Sequence, residues 1–236
     1  MHISINGLTK VYGDYTAVEA QELQIPSGES FGLVGNNGAG KTTLFRCVLD
    51  LIEPSTGKVM IGDLNVVNQD GWKDFTGSYL DENFIMGHLL PEEYFDFIAS
   101  LHGMSQDDLS TRLEEFEALF NGEILGGKKL IRDLSKGNQK KVGIAAALLF
   151  DPKVLVLDEQ FANLYPSTQI RLKELLKALK TDRGVTMLIS SHDLQHVTEV
   201  CERIVLLEKG QVINDIKTSA ATLKELETYF AGVVES

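Results

Sequence analysis

Two cysteines and five prolines in 236 residues leave little to staple or stiffen this chain. Cys47 and Cys201 lie far apart, and neither has a neighbour at metal-ligand or redox-motif spacing. That excludes a disulfide framework and a thiolate metal site, and it points to a reducing compartment with buried thiols. Basic residues are outnumbered: 22 Lys and Arg against 34 Asp and Glu give a formal net charge of -12, a surface that repels nucleic-acid phosphates in general. No apolar run approaches the roughly 20 residues that a membrane helix needs; "IAAALLF" and "VLVL" are core-sized pieces. The start, "MHISINGLTKVYG", lacks the basic end and apolar stretch of a signal peptide. A membrane role therefore requires another chain to cross the bilayer. What is present is 43% hydrophobic and 24% charged residues, an ordinary globular composition in a length that suits one large core with a smaller lobe inserted in it.

The pattern along the chain divides in three. Ile3 and Ile5 alternate, "VEAQELQI" follows, "PSGE" makes a turn, and "SFGLVG" runs as a buried strand into a glycine-rich loop. "KTTLFRCVLDLI" has helical spacing through Leu44, Val48 and Leu51, with "EPSTG" as its stop, and "KVMIGDLNV" gives two short strands about Gly62 and Asp63. From about residue 82 to 150 helical spacing dominates. Pro91 opens a helix with Tyr94, Phe95, Ile98 and Leu101 on one face, and Leu109, Leu113, Phe116 and Phe120 mark a second. Both stripes are expected to form core, with a docking groove as the alternative reading. Strands then return with "KVLVLDE" and "GVTMLISS", separated by a helix from about Pro166 to Lys180. A hairpin turning at Lys209 and Gly210 and a helical tail over 221–233 complete the pattern. Strands alternating with helices predict a largely parallel sheet covered on both faces, an α/β fold carrying a helical insertion. No internal repeat or low-complexity tract is evident.

"GNNGAGKT", Gly35 to Thr42, matches G-x-x-x-x-G-K-[ST] between a predicted strand and a predicted helix. Glycines there let backbone wrap closely around phosphates. The N–H groups of Gly35, Asn36, Asn37, Gly38, Ala39 and Gly40 with the helix start at Thr42 and Thr43 supply partial positive charge, and Lys41 adds a full one. Thr42 is placed to ligate Mg²⁺. Downstream, the apolar run "VLVLDE" ends in Asp158, placed to hold the metal, and Glu159, placed to take a proton from an attacking water.

Between these two elements, at the end of the helical stretch, stands "LSKGNQKKVGIAAALLF". It resembles the signature of the ATP-binding cassette family, usually L-S-G-G-Q, with Lys136 at the third place and Asn138 at the fifth. Ser135 and Gly137 precede a predicted helix, so hydroxyl, N–H and helix dipole converge where a γ-phosphate would lie. Further family positions follow in order over about residues 3–211. Tyr12 in "LTKVYG" falls where an aromatic stacks on adenine. Glu82 in "SYLDEN" occupies the position, usually glutamine, that links the metal site to the helical lobe. His192 in "LISSHDL" matches the switch histidine. His196, four residues on, reads as helix surface rather than half of a metal pair.

The resemblance implies a P-loop NTPase core with a mostly parallel sheet, an N-terminal antiparallel β subdomain and an inserted α-helical subdomain, all in one ATPase domain over 1–236. Residues 1–81 and 151–236 would form the nucleotide-binding core and 82–150 the helical subdomain. It implies an ATPase that takes ATP and Mg²⁺, works as a homo- or heterodimer on the cytoplasmic face of a membrane, and drives a separate transmembrane permease. Each site would combine Lys41, Thr42, Asp158, Glu159 and His192 of one copy with Ser135 and Gly137 of another, and Glu82 would serve both metal and catalysis. Lys136 and the short C-terminal region resemble the exporter-type branch.

One loop departs from the family. Where Pro-Thr-x-Gly-Leu-Asp-Pro is usual, this chain has Gln160, Phe161, Ala162, Asn163, Leu164, Tyr165 and Pro166. Losing the proline at 160 is expected to loosen the loop after Glu159, and Tyr165 replaces the aspartate that crosses the family's dimer interface. Intact nucleotide binding with slow or poorly coupled hydrolysis is the expectation. The competing reading is a nucleotide-dependent switch with little hydrolysis. A soluble cassette acting on DNA or ribosomes would carry long insertions or two cassettes, a GTPase would carry Asn-Lys-x-Asp, and a small-molecule kinase would not need the Ser135 element.

Overall fold

The computed structural model describes residues 1–234. The chain opens with β1 (Ile3–Tyr12) and β2 (Tyr15–Ile25), then runs through β3 (Ser30–Val34) into α1 (Lys41–Val48). β4 (Thr56–Ile61), β5 (Leu64–Asn65) and β6 (Thr76–Tyr79) follow, and then the helical stretch α2 (Pro91–Leu101), α3 (Gln106–Glu114), α4 (Glu117–Phe120) and α5 (Lys136–Leu148). β7 (Val154–Asp158), α6 (Pro166–Arg183), β8 (Thr186–Ser191), α7 (Leu194–Val200), β9 (Arg203–Glu208), β10 (Gln211–Lys217) and α8 (Thr222–Val234) complete it. The strands join in one sheet of order β5-β4-β1-β2-β10-β9-β3-β8-β7-β6. From β9 to β6 every pairing is parallel, while β1 pairs antiparallel with both β2 and β4. The expected parallel core and antiparallel N-terminal part are therefore one continuous surface.

The continuous apolar runs of the central strands have a two-sided cause. Along β7, Val154 and Val156 face one core with Phe31, Phe45 and Trp72, whereas Leu155 and Leu157 face the other with Phe95, Phe116 and Leu172. Side chains alternate across a strand, so a strand covered on both faces needs apolar residues at every position. The first core is closed by α1 and the antiparallel strands, the second by α2 to α7. Both cysteines are buried, and burial pushes the Cys47 thiol up to about 11.

Three local expectations need correction. The helix after the phosphate loop ends at Val48, not Leu51: Asp50 takes the left-handed conformation at φ 52° and Leu51 is left exposed. An aspartate serves there as the terminating residue that glycine usually supplies. The second helical stripe is two helices, broken at Glu115 and Phe116. Leu109, Phe116 and Phe120 still share one core, because the buried Arg112 ties the break to the end of α5 through the Leu148 and Leu149 carbonyls. Leu101 is 64% exposed although it shares spacing with Tyr94 and Phe95.

Candidate functional site

The loop between β3 and α1 wraps around the Lys41 ammonium. Lys41 is buried, and its Nζ donates to the Gly35 carbonyl at 2.7 Å and the Asn36 carbonyl at 3.4 Å. Gly40 caps α1 in the left-handed region at φ 104°, where an added Cβ would lie 2.3 Å from the Ala17 carbonyl oxygen. Backbone approach that close is available only to glycine, which explains the second glycine of the motif physically. With no acidic residue in its first turn, the N-terminus of α1 keeps its partial positive charge uncompensated.

Around this loop lies an open cleft of about 330 Å³, lined by Tyr12, Asn37, Gly38, Ala39, Gly40, Lys41, Thr42, Thr43 and Glu159. Tyr15 and Ala17 line it too, and the sequence reading did not name them. Tyr15 sits opposite Tyr12 across the β1–β2 hairpin, so its position follows from strand register. The phenol rings of both tyrosines are at least half exposed, free to cover an aromatic base.

Asp158 ends β7 beneath the loop. Thr42 Oγ1 donates to its Oδ2 at 2.5 Å, and the Ser190 hydroxyl donates to Oδ1. Ser190 was not foreseen; parallel pairing of β7 with β8 sets it directly beside Asp158. Burial raises the Asp158 pKa above the usual carboxylate value, against the lowering effect of the Ser190 and Thr42 hydrogen bonds, with nearby Glu159 raising it further. A desolvated carboxylate flanked by a threonine hydroxyl is a hard-oxygen donor set. It suits Mg²⁺, which keeps waters and phosphate oxygens in its remaining positions and needs no all-protein cage; no group of three His, Cys, Asp or Glu able to hold a metal occurs among the described residues. Because that charge is costly without its cation, Asp158→Asn is expected to raise the melting temperature of nucleotide-free protein by about 2–4 °C. The same variant should lose Mg²⁺-dependent nucleotide affinity; calorimetry and equilibrium binding read the two effects, and a lowered melting temperature would refute the first.

Glu159 follows with a left-handed backbone, φ 49°, its N–H donating to the Ser190 carbonyl and hydroxyl oxygens at 3.2 Å each. The conformation is uncommon for a non-glycine residue and is held by these surroundings. It turns the carboxylate back toward the phosphate loop. Oε2 lies 2.7 Å from Nδ1 of His192 and accepts from the His192 backbone N–H at 3.3 Å, and Oε1 lies 3.7 Å from Lys41 Nζ. With its proton on Nδ1, the imidazole donates to the carboxylate.

Ser135 and Gly137 do not join this cleft within one chain. They line a separate space of about 170 Å³ with Lys136, Asn138, Asn163, Leu164 and Tyr165. Ser135 caps α5, its hydroxyl oxygen accepting from the Asn138 N–H at 3.2 Å, which leaves the hydroxyl proton free to donate outward. Glu82 opens a short 3-10 turn after β6 and pairs with Lys136 Nζ at 3.9 Å. With the Lys136 side chain 66% exposed, this is a loosely spaced, solvent-screened ion pair. His196 is not on a surface: its side chain is 12% exposed and its ring lies 4.6 Å from that of Phe161. In the loop after Glu159, Gln160 is fully buried with neither amide atom hydrogen-bonded among the described residues, and Tyr165 is 75% exposed.

Comparison with known proteins matches this arrangement. The sequence model of the ABC transporter family covers residues 18–162. The ABC transporter ATP-binding protein YhaQ of Bacillus subtilis is 36% identical, over 97% of this chain and 74% of its own length. The bacitracin transport ATP-binding protein BcrA of Enterococcus faecalis is 31% identical, over 92% of this chain and 70% of its own length, and the methionine import ATP-binding protein MetN 2 of Oceanobacillus iheyensis 32%, over 90% and 65%. Among solved structures, the dimeric bacterial ABC transporter cassette MJ0796 superposes with a TM-score of 0.83 at 25% identity, covering 92% of this chain and 99% of that one. Family model, relatives and fold agree, and the chain belongs to the ABC transporter family as an ATP-binding, ATP-hydrolysing subunit.

Proposed function

We propose that two copies of this cassette, or one copy and a related one, close face to face over ATP and that the closure drives a separate transmembrane partner. The observation that carries this reading is the division of the signature from the phosphate cleft. Lys41, Thr42, Asp158, Glu159 and His192 gather in one place, while Ser135 and Gly137 open onto another. A complete site then needs the signature of a second molecule. No described helix is long and apolar enough to cross a membrane, so a membrane-spanning partner supplies the path, and this chain would sit against the partner's cytoplasmic face. The relatives named for methionine import and bacitracin transport support transport as the purpose without naming this chain's cargo. The exporter-like reading rests on Lys136, here paired with Glu82.

The chemistry follows from the placement. Lys41 and the α1 N-terminus bind and orient the phosphates, with Tyr12 and Tyr15 beside the base. Thr42 and Asp158 would hold Mg²⁺, which when bound neutralises phosphate charge. Glu82, which pairs with Lys136 and does not line the phosphate cleft, would reach that metal only after a rearrangement of its turn. Glu159 accepts the proton of the attacking water, and His192 keeps its carboxylate aimed. Residues 82–150, containing α2 to α5, would move as the helical subdomain relative to 1–81 and 151–236.

A second reading, a slow switch, is favoured by the loop itself. Gln160 buries a donor and an acceptor without partners, and Tyr165 presents an exposed phenol where the family places a carboxylate. The double variant Gln160→Pro with Tyr165→Asp is expected to raise ATP turnover about tenfold. The aspartate should also cap α6, which lacks a side-chain cap, adding about 1 kcal/mol of stability. Phosphate release measured beside wild type checks the rate; no increase would clear this loop as the limiting defect.

A further inference from the structure

Lys140 lines neither the phosphate cleft nor the signature space. It lies on α5, one and a half turns beyond Ser135, and is 5% exposed. Among the described residues its ammonium makes no hydrogen bond to a carboxylate. Nζ donates to the Glu159 carbonyl at 2.6 Å and to the Ala162 carbonyl at 2.8 Å, with the Tyr79 ring 6.0 Å away. The two carbonyls bracket the first turn of the unusual loop, whose ends at Glu159 and Asn163 are both left-handed, at φ 49° and 63°. Left-handed residues persist only where neighbouring contacts hold them, and a buried ammonium bridging two carbonyls is such a contact, stronger than a neutral hydrogen bond. The Phe161 carbonyl between them is held separately by the Gln169 amide at 3.1 Å. A proline at 160 would fix one dihedral of this loop; in its absence the carbonyls of 159, 161 and 162 are fixed by side chains.

We propose that Lys140 is a positioning residue for Glu159, acting from the signature helix on the backbone that aims the carboxylate. Its placement has a mechanical consequence. One rigid helix, rising about 1.5 Å per residue, carries Ser135 at its start and Lys140 in its second turn. Engagement of Ser135 with a second molecule's nucleotide displaces α5, and Lys140 transmits that displacement to Glu159 of its own chain. Burial lowers the Lys140 pKa, while Glu82, Glu159 and Asp158 act in the opposite sense; these carboxylates favour the charged form that grips the carbonyls most firmly.

The inference rests on Glu159 being the base proposed above, and its test separates the two ideas. In the full-length protein, Lys140→Met keeps the buried chain without its donors, and Lys140→Gln restores an amide donor. For Lys140→Met, kcat should fall about tenfold or more with Mg·ATP affinity within about twofold of wild type. Amide hydrogen exchange over residues 159–165 should quicken. Lys140→Gln should recover part of both, and it carries the comparison with wild type alone if the methionine variant does not fold. Unchanged exchange or unchanged kcat in a folded variant overturns the proposal, as does an affinity that falls in step with kcat. Wild-type protein without turnover would overturn the assignment of Glu159 as base, and exchange over 159–165 would still decide whether Lys140 holds the loop.

Discussion

Glu159→Gln is expected to lower ATP turnover by about 10²–10⁴-fold, the usual contribution of a positioned general base, while Mg·ATP still binds. Glutamine has the same shape, and its carbonyl still accepts from His192 Nδ1 and the His192 N–H, so the loop keeps its geometry. What it loses is the ability to take a proton from water. The 3.7 Å contact with Lys41 is also weakened, but Nζ keeps its hydrogen bonds to the Gly35 and Asn36 carbonyls. Phosphate release and equilibrium nucleotide binding measured on the same preparation check both halves. Two bound copies with uncleaved ATP should also accumulate, visible as a doubled mass in light scattering. Unchanged turnover would remove Glu159 from the mechanism.

Gly77→Ala is expected to be the most destabilising small substitution near the site, at about 3 kcal/mol or more, which corresponds to a fall in melting temperature of about 6–12 °C for a chain of this length. Gly77 is in β6 with an ordinary strand backbone, so conformational freedom is not the reason. An added Cβ would lie 1.9 Å from the Ala147 carbonyl oxygen and 2.9 Å from its carbon. Those are backbone atoms of α5 and cannot swing aside, so strand and helix must separate. β6 leads directly to Glu82, and α5 carries Ser135 and Lys140, so the same separation should slow turnover. Ser78→Ala, one residue on and exposed, serves as the control and should stay within about 0.5 kcal/mol of wild type. A melting temperature for Gly77→Ala equal to that of the control would disprove the close approach.

The features legible in the sequence share a property: each is local. The phosphate loop announces itself because glycines, a lysine and a threonine must occur at fixed offsets between a strand and a helix. The alternation of strand and helix follows from period and punctuation, and the four central strands lie where their apolar runs placed them. Local reading failed where an unusual residue or a tertiary partner replaced the usual chemistry. Asp50 ends α1 without glycine, Arg112 secures a break between α3 and α4 that the stripe Leu109 to Phe120 did not reveal, and Phe161 covers a histidine expected on the surface.

The amino-acid order alone determined that this protein would bind ATP and belong to the ABC transporter family. Only the folded chain decided that Ser190 would support Asp158, that Lys136 would answer Glu82 and that Lys140 would reach beneath Glu159. The reason is range. A loop or helix start is specified by neighbours a few residues apart, whereas which hydroxyl or ammonium meets which oxygen depends on how strands and helices distant in sequence come to pack.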